Sequence, residues 1–223
     1  MSIPSPEGAV PGFAGAFETH VTLGFSRDAD EERAREWARR AGVKYTRIVL
    51  DRGERPDQPM LTAYGRGTLD TRRAAAGAMV AELRAAGFAV ARVKIEAAPS
   101  NADVPATAAD AAALPPGCYF EHHVKLVLDD ADVPRVRALA DPHAAHVSRN
   151  PRRRLDGTRH ERFVTQRCRG VGRADARRRL DTLLAALAYA GFPARETEEE
   201  FVVCDDNPGL DAGWIDERPP GDR

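Results

Sequence analysis

FETHVTLGF, Phe17 to Phe25, returns 103 residues later as FEHHVKLVL, Phe120 to Leu128. LTAYGRG, Leu61 to Gly67, returns at the same offset as VTQRCRG, Val164 to Gly170. After one further residue, AAGF at Ala85 to Phe88 returns as YAGF at Tyr189 to Phe192. A single offset shared by motifs so far apart predicts a duplicated domain, and a repeat of this size governs every later reading of the chain.

Each copy reads as strand, helix, strand, strand, helix, strand. In the first, Phe17 to Phe25 alternates Val21 and Leu23 on one face with Glu18, His20 and Thr22 on the other, the pattern of a half-buried strand. Asp28 to Ala41 has an acidic start and stops at Gly42, the signals of a helix. VKYTRIVLD and PMLTAYGRG follow as strands around the turn-forming RGERPDQ. Leu69 to Ala86 carries Met79, Val80 and Leu83 at helical spacing, and Phe88 to Glu96 is a fourth strand with Val93 and Ile95 set against Arg92, Lys94 and Glu96. The second copy predicts strands at Tyr119–Leu128, near His146, at His160–Arg169 and ending near Cys204, with helices at Val133–Leu139 and Ala174–Ala190. The Asp156-Gly157 turn separates its two middle strands.

That order predicts an α+β protein of tandem duplicated ferredoxin-like (βαββαβ) domains related by a pseudo-two-fold axis. Residues 14–97 make the first repeat, 98–117 an Ala/Pro-rich linker, 118–206 the second repeat and 207–223 a C-terminal tail, on which Trp214 and Ile215 offer a docking point. The 223 residues leave room for two cores of roughly 100 residues each.

Composition narrows the partners. A formal net charge of −1 gives no global attraction to DNA or to a membrane surface. The excess of arginine over lysine, with abundant alanine, fits a GC-rich bacterial genome, and that bias also explains runs such as Arg152 to Arg154, read as a solvated basic patch. No apolar stretch reaches the ~18 residues that span a bilayer, and the N-terminus lacks the layout of a signal peptide, so a cytoplasmic protein is expected. Cys118, Cys168 and Cys204 form no Cys-x-x-Cys pair and read as three reduced thiols. No cofactor and no metal site is predicted; the Glu196–Glu200 run is read as a charged edge strand kept soluble rather than as a cation site.

In a ferredoxin-like unit both helices cover one sheet face, so the polar strand positions share the open face. Glu18, His20 and Thr22 then lie beside Thr62, Tyr64 and Arg66 in one copy, and Glu121, His123 and Lys125 beside Thr165, Arg167 and Arg169 in the other. Two such faces packed together enclose a polar cleft. His20 and His123 across that cleft suit an acid/base pair, with Glu18 and Glu121 orienting the rings. Thr22, Tyr64, Arg66, Lys125, Arg167 and Arg169 are placed to grip an anion. His122 and His143 have no partners in the sequence.

Two resemblances sharpen this expectation. His20-Val21-Thr22 resembles the His-x-Thr motif of two-histidine phosphoesterases, whose two lobes each supply a histidine and a hydroxyl to a cyclic phosphate or RNA end; in the second copy Lys125 stands in the hydroxyl position, while His146-Val147-Ser148 fits the pattern on a different strand. Glu121-His122-His123-Val124-Lys125, with Arg167, Arg169, Glu198 and Glu200, is similar to the Glu-x-Glu-x-Lys strand and paired tunnel walls of triphosphate tunnel enzymes. Both imply a phosphate-bearing small molecule or RNA end held between polar sheet faces, with phosphoesterase-like chemistry if the protein is an enzyme. The alternative is a non-catalytic interaction module whose open sheets pair with another chain or with a second copy as a homodimer.

Overall fold

The computed structural model describes residues 12–25, 29–156 and 159–215, apart from the side chains of 29 and 151–156. Residues 1–11 of the N-terminus, Asp28, the side chains of Arg152 to Arg154, Gly157 of the expected turn and residues 216–223 lie outside this description.

The first half runs β1 (Ala14–Gly24), α1 (Ala29–Ala41), β2 (Lys44–Leu50), β3 (Asp57–Thr68), α2 (Leu69–Ala85) and β4 (Ala89–Ala97). A short α3 (Ala108–Ala112) lies within the expected linker. The second half runs β5 (Tyr119–Asp129), α4 (Val133–Ala140), β6 (Ala145–Asp156), β7 (Arg159–Arg169), α5 (Arg173–Tyr189) and β8 (Glu196–Asp205). Local chemistry accounts for the helix ends. The acidic first turn and basic last turn of α1 complement its dipole, and the Thr68 hydroxyl accepts the Thr71 N–H to cap α2.

The two halves do not form separate open sheets. All eight strands close into one antiparallel barrel in the order β1-β3-β2-β6-β7-β5-β8-β4, and β4 returns to β1. Each half contributes its strands in the same spatial order, 4-1-3-2. They join through β4 against β8, from Lys94↔Asp205 to Ala97↔Phe201, and through β2 against β6 at Val49↔Arg149 and Leu50↔Ser148. The polar faces expected to lie open or to stack as two layers therefore line one lumen. β8 is bonded to β5 along residues 196–202 but to β4 only over 201–205, so the Glu196–Glu200 run is paired on one side and keeps the charged edge expected of it.

The apolar face points outward, under the helices. Val21, Leu23 and Leu61 pack with Trp37 of α1 and Leu83 of α2. Val124, Leu126, Val147 and Val164 pack with Val136 of α4 and with Leu180, Leu183 and Leu187 of α5. A third cluster spans the halves, with Phe13 and Phe17 from one against Phe120 and Phe201 from the other, ring centroids 4.7 Å apart for Phe120 and Phe201. The stretch expected to be a linker is anchored as well, Asn101 bonding both the N–H and the carbonyl of Ala16 at 2.9 and 2.6 Å. The expected C-terminal tail docks from 207 to 215: Leu210, Asp211, Trp214 and Ile215 are all buried.

Candidate functional site

An eight-stranded barrel has a lumen just wide enough for its own side chains. Here those side chains are charged, so each must find a partner inside a low-dielectric space. In the middle layer His20 faces Thr62 across the β1–β3 register and His123 faces Thr165 across β5–β7. The Nδ1 of each ring bonds its threonine hydroxyl, at 2.9 Å for His20 and 3.0 Å for His123. His20 Nε2 lies 2.6 Å from Glu96, while His123 Nε2 lies 3.4 Å from Glu121 and 3.3 Å from Glu200. Both histidines thus line one enclosed space, with hydroxyl partners on the neighbouring strand rather than at Thr22 or Lys125.

Between them the Lys94 ammonium is 2.5 Å from both Glu96 and Glu121. Glu121 also accepts Arg167 Nε at 2.6 Å. Below this layer Arg92 holds Asp205 and Asp211, and Asp211 takes a further bond from Arg167 at 2.6 Å and from Gln58 at 2.9 Å. Arg167, placed by the sequence in an anion grip, is instead buried and held by carboxylates of the chain itself.

The opposite end of the lumen opens into a cavity of about 520 Å³. Its charged lining is Glu18, Glu96, Glu198, Glu199 and Glu200 against Arg66 alone, with Tyr64, 61% exposed, on its wall. The carboxylate oxygens of Glu18 and Glu200 lie within 4.8 Å of each other and of His20, and the same holds for Glu96 and Glu121 with His123.

The remaining expected residues scatter. Thr22 is buried in register with Met60 and Arg92. Lys125 pairs with Glu196 at a partly exposed end of β5, and Arg169 stacks on the Tyr119 ring at 4.1 Å. His122 sits on the helix side, bonded to Gln166. His146, in register with Thr165, contacts Arg52 and the Trp214 ring rather than either lumen histidine. The sequence reading missed Lys94 and Glu96 as site residues, although their alternation against Val93 and Ile95 was visible, and it missed Asp211, which no periodicity marks.

Protonation follows from these contacts. Burial opposes charge on His20 and His123, but Glu96 reverses this for His20, and Glu121 with Glu200 pushes His123 up to about 10. Burial likewise opposes charge on Glu96 and Glu121, yet Lys94, with His20 or Arg167, holds both below the usual carboxylate range. The cavity carboxylates behave oppositely. Burial and the neighbouring Glu96 charge push Glu200 up to about 7, and burial also raises Glu18. An imidazole charged at neutrality is a fixed cation and cannot accept a proton, so the expected general-base role does not suit His123.

These shifts set a pH dependence of stability. Glu96 and Glu121 stabilise the fold above their ordinary 4.5, and that contribution is lost as pH falls below it. Glu200, raised from 4.5 to about 7, favours the fold while protonated, so stability is shed as pH rises across that window. His123, raised from 6.5 to about 10, contributes fully below 6.5 and loses its contribution on the way up to 10. The melting temperature is therefore expected to peak near pH 5 and fall toward pH 9. Glu200→Gln should flatten the fall between 4.5 and 7; a midpoint that rises from pH 5 to 8 in thermal melts contradicts this assignment.

No protein-family model matches the chain, and no curated protein matches it. Among solved structures, a mutant chlorite dismutase from Candidatus Nitrospira defluvii matches at a TM-score of 0.30 and 10% identity, over 89% of this chain and 93% of that one. TA0507, assigned as a chlorite dismutase, matches at 0.28 and 14% identity, over 88% and 97%. Likeness at these scores carries no argument about function. Neither structure is a two-histidine phosphoesterase or a triphosphate tunnel enzyme, and the resemblance to those families does not hold. Thr22 is not the hydroxyl that meets His20, and the residues drawn from the tunnel pattern are divided between internal ion pairs and an acidic cavity.

Proposed function

We propose that the barrel is a binding protein for a small organic cation, whose primary ammonium group sits between Glu18 and Glu200. The reading includes a finer view of the architecture, that the halves are duplicated ferredoxin-like units related by a pseudo-two-fold axis. What supports this is the repeated element order, the 103-residue offset, and the matched contacts His20–Thr62 and His123–Thr165.

Under that correspondence Glu96 matches Glu200, Glu121 matches Glu18, and Lys94 matches Glu198. The observation that carries the proposal is the fate of the two carboxylate pairs. Glu96 and Glu121 are bridged by the Lys94 ammonium, 2.5 Å from each. Glu18 and Glu200, the latter also 3.3 Å from His123, have comparable spacing and face an open cavity, but at the position matching Lys94 an exposed glutamate, Glu198, stands. One pair, drawn from both halves, is bridged by an ammonium of the chain; the other takes its ammonium from a ligand. The cavity volume lies within the roughly 300–1,000 Å³ of small-molecule sites, and Tyr64 offers a ring face to a cation.

A metal ion is the second reading, favoured by the Glu18, His20 and Glu200 oxygens and nitrogen converging within 4.8 Å. Against it, both His20 ring nitrogens are engaged, by Thr62 and Glu96, and a protonated imidazole is not a ligand. The phosphate-bearing ligand expected from the sequence would meet Glu18, Glu198 and Glu200 in this cavity against a single arginine, Arg66. Sheet-edge pairing with another chain, the interaction-module alternative, has little to use among the described strands: the barrel closes, and the stretch of β8 left paired on one side, Glu196–Glu200, is mostly carboxylates.

Calorimetry with 1,4-diaminobutane, with Mn2+ or Zn2+, and with pyrophosphate separates these readings. The diamine should bind, and Glu18→Gln or Glu200→Gln should each weaken it by at least about tenfold, the 1.4 kcal/mol or more expected when one carboxylate of a buried charge contact is neutralised. Binding by pyrophosphate or metal without diamine binding overturns the proposal.

A further inference from the structure

The arginine end of the lumen carries a different inference, independent of the cation cavity. We propose that Arg92, Arg167 and Gln58 form a concealed site for a small carboxylate- or phosphate-bearing anion, and that Asp211 is a tethered stand-in for that ligand.

Three observations converge. First, Asp211 comes from no strand of the barrel. It arrives on the short segment after β8 and places one carboxylate against three donors: Arg92 Nη1 at 2.9 Å and Arg167 Nη2 at 2.6 Å on one oxygen, and Gln58 Nε2 at 2.9 Å on the other. Two guanidiniums and an amide converging on one anion match the donor geometry of carboxylate or phosphate recognition.

Second, both arginines keep a barrel carboxylate when Asp211 leaves. Arg92 retains Asp205, which it grips through Nε at 2.8 Å and Nη2 at 2.5 Å, and Arg167 retains Glu121 at 2.6 Å. Withdrawal of Asp211 thus leaves the donors in place with one anion missing, and an external anion restores the balance.

Third, the segment is held separately from the main cores. Trp214 and Ile215 pack with Leu50 and Ile48 in a small cluster apart from the three larger ones, and the Trp214 indole donates to the Val147 carbonyl at 2.9 Å. Gly213, at φ +74, lies flat on Gly53, where an added Cβ would come 3.3 Å from the Gly53 Cα. Segments held by few apolar contacts open at lower free energy than the cores they cover. An anion with differential affinity for the opened form shifts that equilibrium toward it.

Trp214 reports the event directly. In full-length Trp37→Phe protein, where Trp214 is the one remaining tryptophan, inorganic phosphate or citrate should produce a saturable red shift of emission that potassium chloride at matched ionic strength does not. Asp211→Asn in the same background should be red-shifted from the outset and bind either anion at least about tenfold more tightly, because the competing open-state cost is removed. An Asp211→Asn chain that folds only with phosphate present also supports the proposal. It is overturned if emission ignores both anions in both proteins, or if the variant stays unfolded with and without them.

Discussion

Replacing Glu121 with alanine is expected to destabilise the barrel by about 3–5 kcal/mol, the range found when one partner is taken from a buried ion pair. Glu121 is 1% exposed and serves Lys94 at 2.5 Å, Arg167 at 2.6 Å and His123 at 3.4 Å. Its removal leaves two permanent cations in the lumen each one carboxylate short, where water cannot replace the lost charge. Lys94 keeps Glu96, and Arg167 keeps Asp211. Set against a typical total stability of about 5–15 kcal/mol, this is a large fraction. An exposed pair of the same type, Arg177 with Asp181 on the outer face of α5, should by contrast contribute about 0–1 kcal/mol. Urea unfolding of Glu121→Ala and Asp181→Ala side by side checks the ranking. A loss under about 1 kcal/mol for Glu121→Ala would mean that the lumen is hydrated and its ion pairs screened.

Much of this arrangement was legible in the sequence, and the reasons for the gaps are physical. The repeated motifs located the strands, and the alternation of Glu18, His20 and Thr22 against Val21 and Leu23 separated two faces of β1 correctly. A period of two says that the faces differ; it does not say which of them is covered. Closure depends on a few pairs between the halves, such as Val49↔Arg149 and Lys94↔Asp205, and no local signal marks them. Once the barrel closes, the face expected to be solvated becomes interior, and its charges must pair. That is why Arg167 belongs to an internal network and why Glu200 of β8 meets His123 inside the lumen, while Glu199 turns outward to Arg177 of α5. Lys94 is the instructive miss. Its position in the repeat matches Glu198, and the departures from symmetry there and at Tyr64, which matches Arg167, separate a carboxylate pair bridged by cations of the chain from one facing the cavity. Asp211 had no comparable signal, since the segment carrying it has neither repeat nor period.

The departure at Glu198 supplies the second large effect. Glu198→Lys places beside the open pair the residue type that Lys94 provides to the other, at a position that lines the same cavity as Glu18 and Glu200. The introduced ammonium is expected to occupy the pair, lower the Glu200 carboxyl that burial and Glu96 push up to about 7, and exclude an external amine. The most direct measurement is calorimetric titration of 1,4-diaminobutane into Glu198→Lys and the unmodified protein at pH 7.5, with melting temperatures taken on both. Diamine binding is expected to be lost in the variant while its melting temperature rises. Undiminished diamine binding in a folded Glu198→Lys protein would contradict the proposed site, because the ligand would then be held somewhere other than between Glu18 and Glu200.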